Sequence, residues 1–379
     1  MLLFFLAYLL IYGGLNVYVY YTILSGLGVH SAPIAFLLVV LVLVPIFLRF
    51  AEAKAPRWLA ILLAWVGFNW MGVAFLFASV SLLADGIQVF ASGFSQQDAL
   101  WWVIGLTLIL SGYGFWESRR IRIRYLSVRS PKLDHADGKP FRLVQISDVH
   151  LGYGTLPGQV KGIVKRVGAL NPDLLVSTGD LFDTDLKHLG AYVNRLKTLR
   201  PAFGKFAVIG NHEVYAGLEE AIKLTEASGF NLLRADSQRV ADNLYVAGVD
   251  DPEVPSGLSA ESLEAKAFEK IPEGAFVVLL KHRPQVTHSQ LGKFDLQLSG
   301  HTHGGQIFPF IFLTRLQYRA RHGLTQFAEA TYLYLSRGTG SWGPQLRVFA
   351  PPEITVFDLS NGEQFEISVL QKCSWLSTR

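Results

Sequence analysis

Apolar positions crowd the first third of the chain and then break into short, spaced runs. Leu2–Leu24, Pro33–Leu48, Trp58–Leu83 and Ala99–Trp116 contain no Asp, Glu, Lys or Arg. A helix needs about 20 apolar residues to cross a hydrocarbon layer about 30 Å thick, so the pattern predicts four membrane-spanning helices. The second is short and carries Pro33 and Pro45. A cleaved signal peptide does not fit the first, because no positive stretch precedes it and three further spans follow. From Arg119 the period changes. IRIRYLSV alternates apolar and polar residues, as a half-buried strand does. LVQIS, DLLVST, FAVIG, LYVAGV, FVVLL and LYLS are apolar runs of strand length, and Gln159–Leu170 and Leu218–Ser228 are segments of helical length among them. Strands alternating with helices predict a layered α/β domain. The expected division is a four-span transmembrane domain over residues 1–118, an α-helical bundle, and an α/β domain over 119–379.

Composition agrees. Only 17% of the 379 residues are charged, against about 25% in a soluble domain. The one cysteine, Cys373, excludes an intrachain disulfide framework and a cysteine-based zinc knuckle. The pI near 9.0 suits basic loops at a membrane surface, and no nucleic-acid partner is expected. Arg49, Lys54 and Arg57 lie between spans two and three, and Arg119, Arg120, Arg122 and Arg124 follow span four. Two spans separate these clusters, so they share a side, and the positive-inside rule makes it cytoplasmic. Ser25–Ser31 and Asp85–Asp98, without Lys or Arg, then face outward. The chain reads as a multi-pass protein of the cytoplasmic (inner) membrane with its α/β domain inside the cell. Asn16 and Asn69 are the main polar candidates within the spans, suited to helix–helix hydrogen bonds.

The chemistry follows the apolar runs. LVQIS leads to Asp148 and His150, DLLVST to Asp180, FAVIG to Asn211 and His212, FVVLLK to His282, and FDLQLSG to His301 and His303. Each motif alone is an ordinary turn or helix start. Their recurrence at five strand ends, where open α/β sheets bind ligands, points to a metal site. Half of the ten histidines fall in these motifs. Carboxylate, amide and imidazole donors without thiolate suit manganese, iron or zinc. Seven ligands exceed the needs of one ion and suit two. Such a pair, about 3.5–4 Å apart, polarises a phosphoryl group and activates water as a nucleophile near neutral pH. Asp180 is the natural bridge.

The series DVH, GDLFD, GNHE, KHRP and GHTH, over about Phe141–Ser360, resembles the signature of calcineurin-like metallophosphoesterases. The stretch SRGTGSWGPQLRVFAPPEI is similar to a membrane-associated bacterial branch of that family. The resemblance implies a layered β-sandwich flanked by helices and two divalent ions, manganese first, with iron or zinc as alternatives. It implies Asp148, His150 and His303 at the first metal, Asn211, His282 and His301 at the second, Asp180 bridging, and His212 as the acid that protonates the leaving group. Asp183 would orient a ligand histidine, and Gly304 and Gly305 would let the backbone pass close to substrate. The expected function is a membrane-bound two-metal phosphoesterase, cleaving a phosphodiester or pyrophosphate by attack of a metal-bound hydroxide.

Ile307–Leu313, the apolar run IFPFIFL, follows the last histidine, and Arg315, Arg319 and Arg321 come next. Apolar residues beside basic ones suit an anionic membrane interface, so the bilayer and a lipid-linked phosphate are the expected partners. The motif series is also similar to that of UDP-diacylglucosamine pyrophosphohydrolases, which makes a nucleotide-lipid one candidate. The alternatives are a tethered phosphodiesterase with a soluble substrate, or a non-catalytic receptor that binds a nucleotide or phospholipid.

Overall fold

A computed structural model describes residues 6–51, 56–90, 93, 95–133 and 139–370. The start of the first apolar run at Leu2, the basic residue Lys54 and the lone Cys373 lie outside the described residues. The chain forms two compact units.

The first unit holds helices α1 (Leu6–Leu27), α2 (Ala32–Ala51), α3 (Arg57–Phe90) and α4 (Gln96–Glu117), joined by Ile307–Pro309 and Gly343–Phe349. Among the described residues α1, α3 and α4 are long and apolar enough to cross a membrane, and the apolar part of α2, Ala32–Leu48, is shorter. The four expected spans thus become three helices of spanning length and a shorter fourth. Ser95 caps α4 by accepting a hydrogen bond from the Asp98 amide at 3.1 Å, which satisfies one of the orphan donors of the first turn. Val19, Leu38, Ala74, Phe77 and Leu100 pack the helices together. The Trp70 indole donates to Asn16 at 2.9 Å, the helix–helix bond expected of that asparagine. Asn69 instead accepts from the Gln345 amide at 2.9 Å. Ile307, Leu346 and Val348 pack against Leu76 in the same unit.

The second unit is a sandwich of two sheets. Its strands are β1 (Arg122–Ser130), β2 (Phe141–Ile146), β3 (Leu174–Ser177), β4 (Lys205–Ala207), β5 (Asn231–Leu232), β6 (Asp236–Ala241), β7 (Leu244–Val249), β8 (Phe276–Lys281), β9 (Leu296–Ser299), β10 (Gly323–Ala328), β11 (Thr331–Leu335), β12 (Glu353–Asn361) and β13 (Glu366–Leu370). One sheet has the order β13-β1-β12-β2-β3-β4-β5 and the other β10-β11-β9-β8-β7-β6. Strands β2 to β5 run parallel, as do β7, β8, β9 and β11. Such strands are buried on both faces and read as continuous apolar runs, which is why LLVS and FVVLLK are wholly buried.

Leu143, Val176, Phe206, Val246, Val278, Leu296 and Phe357 fill the space between the sheets. Helices α5 (Pro157–Ala169), α6 (Gly190–Lys197) and α7 (Asn211–Ala227) cover the outer face of the first sheet through Val160, Ile163, Val167, Leu196 and Ala221. Helix α8 (Ala260–Phe268) covers the second through Ala267 and Phe268. A last short helix, α9 (Ile311–Gln317), has no buried residue.

Candidate metal centre

Each expected site residue stands on a turn that leaves the carboxyl end of a strand. Asp148 and His150 follow β2, Asp180 follows β3, Asn211 and His212 open α7 after β4, His282 follows β8, and His301 and His303 follow β9. Three of these strands belong to one sheet and two to the other, so the residues meet where the sandwich ends.

The turns are sharp. Asp148, His150, Asp180, His301 and His303 all have positive φ, from 50° to 74°. That region costs a residue with a side chain about 1–3 kcal/mol, and persists where surrounding structure over-determines it. Here hydrogen bonds do so. The Asp148 amide donates to Gly179 O at 3.0 Å, the His150 amide to Asp180 O at 3.0 Å, and the His301 amide to Asp148 Oδ1 at 2.8 Å. Between the histidine pair and β9, Gly300 has no room for a side chain. A Cβ there would stand 2.0 Å from Ser147 Oγ and 2.1 Å from Asp148 Oδ2.

The expected ligands fall into two groups of donors, and His150, Asp183 and His212 form a third cluster as compact. Asp148, His150 and His303 bring ligand atoms within 4.8 Å of one another, and so do Asp180, His282 and His301. His150 Nε2 faces His303 Nε2 at 3.0 Å, and His303 Nε2 lies 3.6 Å from Asp148 Oδ1. In the second group Asn211 Oδ1 lies 3.1 Å from His282 Nε2 and 3.0 Å from His301 Nδ1. Asp180 Oδ2 reaches toward both groups, 3.6 Å from His150 Nε2 and 3.1 Å from His282 Nε2.

This donor set fits divalent metal ions. Imidazole nitrogens face one another beside carboxylates, and no thiolate is among them. Burial, then the neighbouring His212, presses His150 down to about 4. Burial, then His282, presses His301 down to about 3. Burial thus favours the neutral ring at both positions, the form that ligates. Burial pushes Asp148 up to about 6, a cost that a bound cation reverses. His282 and Asp180 act as a pair. Burial disfavours both charges, yet Asp180 raises His282 to about 10 and His282 holds Asp180 well below the ordinary carboxylate range.

His212 stands beside these groups. Its amide donates to Asp180 Oδ1 at 2.9 Å, and its Nδ1 lies 2.9 Å from Asp183 Oδ1. Burial pulls its pKa down, but the Asp183 hydrogen bond and the charges of Asp180, Asp183 and Glu213 raise it to about 9. Asp183 also lies 3.8 Å from His150 Nδ1. Its closer contact is with His212, so the residue it orients is the expected acid more than a ligand.

Sequence reasoning gave no role to Glu213, nor to the chain of hydroxyls behind Asp148. Glu213 is buried and accepts from the amides of Asp180, Leu181, Phe182 and Gly210 at 3.0, 2.5, 3.0 and 2.9 Å. Ser147 Oγ donates to Asp148, Thr178 Oγ1 to Ser147 at 2.7 Å, and Gln145 Nε2 to Thr178 at 3.0 Å. The signal was Gln145, a polar residue flanked by the apolar Leu143, Val144 and Ile146 in LVQIS. Thr178 O lies 2.8 Å from His282 Nδ1 and so fixes which ring nitrogen faces the site. Gly304 and Gly305 shape a turn, with φ of 61° and 80°. A Cβ on Gly305 would meet the Ile311 backbone at 2.5 Å, so local packing explains these glycines.

Comparison with known proteins agrees with this architecture. The calcineurin-like phosphoesterase family matches residues 141–305. An uncharacterized metallophosphoesterase of Aquifex aeolicus is 32% identical over 254 residues, covering 66% of this chain and 96% of the relative. One from Campylobacter jejuni is 36% identical over 239 residues, 62% of this chain and 63% of its own length. A Danio rerio transmembrane protein with metallophosphoesterase domain is 29% identical over 331 residues, covering 79% of this chain and 73% of that protein. With its donor residues gathered at the strand ends, the chain belongs to the calcineurin-like metallophosphoesterase family and is a metal-dependent phosphoester hydrolase that also carries helices apolar enough to span a membrane.

Proposed function

We propose that the chain is a multi-pass enzyme of the cytoplasmic membrane, its hydrolase domain (residues 119–379) facing the cytoplasm, that cleaves a lipid-linked phosphodiester or pyrophosphate with two divalent ions. Asp148, His150 and His303 would hold one ion, Asn211, His282 and His301 the other, and Asp180 both. Bound there, the ions would polarise the phosphoryl group and make water a competent nucleophile near neutral pH. The chain's own residues do the rest. Asp183 holds His212 Nδ1, which leaves Nε2 to carry a proton to the departing oxygen. Glu213 ties the Asp180 turn to the start of α7 and keeps the shared carboxylate in place.

The observation that carries the lipid reading is α9. Phe312, Leu313 and Leu316 are 54%, 54% and 85% exposed. They form an exposed apolar stripe that begins nine residues after His303, beside Arg315, Arg319 and Arg321. An apolar stripe flanked by arginines suits an interface with anionic headgroups. Only part of the run IFPFIFL has this character, because Ile307 is buried in the helical unit. Turnover of a long-chain lipid pyrophosphate in mixed micelles, set against bis-p-nitrophenyl phosphate, tests the reading. A much higher kcat/KM for the lipid supports it, and equal values would overturn it.

A soluble substrate is favoured by a different observation. The exposed rings of Tyr215 and Trp342 lie 5.6 and 5.4 Å from the His212 ring. Such a pair could stack a planar leaving group beside the acid.

A further inference from the structure

The helical unit contains two segments from far along the chain, Ile307–Pro309 and Gly343–Phe349. The places where they pack are informative. Helix α3 has 34 residues and α4 has 22. Ala84 near the end of α3 clusters with Ala99 and Leu100 at the start of α4, so the two helices lie side by side from that end. At about 1.5 Å per residue, α3 then runs on about 18 Å past the end of α4. The two segments pack at this step. Leu346, Val348 and Ile307 close on Leu76 of α3. A Cβ on Gly72 of α3 would stand 2.9 Å from Pro344, and one on Gly114 of α4 would stand 2.6 Å from Leu346. Asn69, Gly72 and Leu76 all lie inside the apolar stretch Trp58–Leu83, seven or more residues from either end. Gly114 lies two residues inside the end of the stretch Ala99–Trp116. With those stretches across a bilayer, the segments stand at hydrocarbon depth, in the leaflet that holds the C-terminal end of α4.

Their hydrogen bonding suits that depth. Non-helical backbone in a membrane needs partners from protein, because no water reaches it. The Gln345 amide donates to Asn69 Oδ1 at 2.9 Å, the Arg347 amide to Gly114 O at 3.1 Å, and the Phe308 amide to Val348 O at 3.1 Å. The Gln345 carbonyl accepts from the Ser118 hydroxyl at 3.1 Å. Arg347, the one charged residue of the two segments, is wholly buried. What they expose is aromatic. Phe308 and Phe349 are 42% and 61% exposed, and their rings lie 5.9 Å apart. The Phe349 ring lies 5.6 Å from Tyr113 of α4, which in turn lies 5.9 Å from the exposed ring of Trp116. Tryptophan at the end of a span marks the level of the headgroups, and Tyr113 is almost one helical turn farther in.

We propose that Ile307–Pro309 and Gly343–Phe349 form a re-entrant element sunk in the lipid bilayer, with the Phe308 and Phe349 rings among the acyl chains of one leaflet. The inference rests on the membrane-spanning reading of the helices and is independent of the substrate. It is also separate from the α9 stripe, which shares no residue with it. The segments begin four residues after His303 and one residue after Trp342, so two turns of the candidate site continue directly into lipid-embedded chain.

Spin labelling tests this in the full chain, reconstituted in nanodiscs of phosphatidylcholine and phosphatidylglycerol. Cys373 is the only cysteine, so Cys373→Ser removes the native thiol, and Phe308→Cys or Phe349→Cys then takes a nitroxide. Ile109→Cys, 68% exposed on α4, is the lipid reference. Lys223→Cys, with a side chain 70% exposed on α7, is the aqueous reference. Oxygen concentrates in hydrocarbon, whereas nickel ethylenediaminediacetate stays in water. The ratio of oxygen to nickel collisions at positions 308 and 349 should exceed that at 223 by about tenfold or more, and approach that at 109. A water-like ratio at either position, with a lipid-like ratio at 109, would overturn the proposal and leave the spans standing. Low collision rates with both reagents would also overturn it, because protein would then cover the rings. A water-like ratio at 109 itself would overturn the spanning reading and the proposal together.

Discussion

At the scale of single residues, Glu213 and His212 sit side by side with different work. Four backbone amides converge on the Glu213 carboxylate. Removing it strands buried donors, each costing about 1–3 kcal/mol. Glu213→Ala should therefore lower stability by about 3 kcal/mol or more and cut metal content, read by denaturant unfolding and elemental analysis. Full metal content and unchanged stability would contradict the role. His212→Ala should leave the metals bound and slow turnover by about 10²–10⁴-fold. The loss should shrink for nitrophenyl esters, whose leaving groups need no proton, and equal losses for good and poor leaving groups would argue against the acid role. The seven expected donors were legible because each follows an apolar run of strand length. Glu213 was not. A glutamate three residues into a helix reads as a capping-box carboxylate, and it does cap Gly210, but its reach to the Asp180 turn depends on two distant segments meeting.

At the scale of elements, the β9 turn and α9 separate metal chemistry from surface chemistry. Gly300→Ala would force a Cβ onto Ser147 and Asp148. It should abolish hydrolysis and release metal while the circular-dichroism spectrum persists, since the apolar core between the sheets is untouched. An active Gly300→Ala chain would mean the turn can move aside. In α9, Phe312→Ser with Leu316→Ser should weaken kcat/KM for a long-chain substrate by tenfold or more and leave a short soluble diester within about twofold. Burying one such side chain is worth about 1.5–3 kcal/mol, so the expected loss is of the right size. Equal loss on both substrates would make the helix a packing element. The strands were easy to read because parallel strands buried on both faces give unbroken apolar runs. The start of α7 at Asn211 was missed, since Gly217, with φ 123°, interrupts the helical pattern. Helix α9 itself gave no periodic signal: seven residues make two turns, and the first three residues of the apolar run, Ile307–Pro309, belong to another unit.

At the scale of the whole molecule, topology and metal loading can each be measured. In the orientation proposed above, the basic residues Arg119, Arg120, Arg122 and Arg124 would keep the hydrolase domain in the cytoplasm by the positive-inside rule. A reporter fused after Arg379 should behave as cytosolic, and digestion of the domain by protease outside intact cells would refute this. The sharp backbone of the site has a further consequence, for the order in which the protein is made. Five donor residues hold left-handed conformations, each carrying about 1–3 kcal/mol of strain, and their strands come from both sheets. The unfolded chain has no reason to adopt those angles, so the sandwich has to assemble before an ion can find its ligands. In the two-ion reading proposed above, the ions would then act as a late rivet across two already folded layers. Nascent chains deprived of metal should persist as folded but loosened precursors, vulnerable first at the turns around Asp148 and His301, where a protease would make its earliest cut.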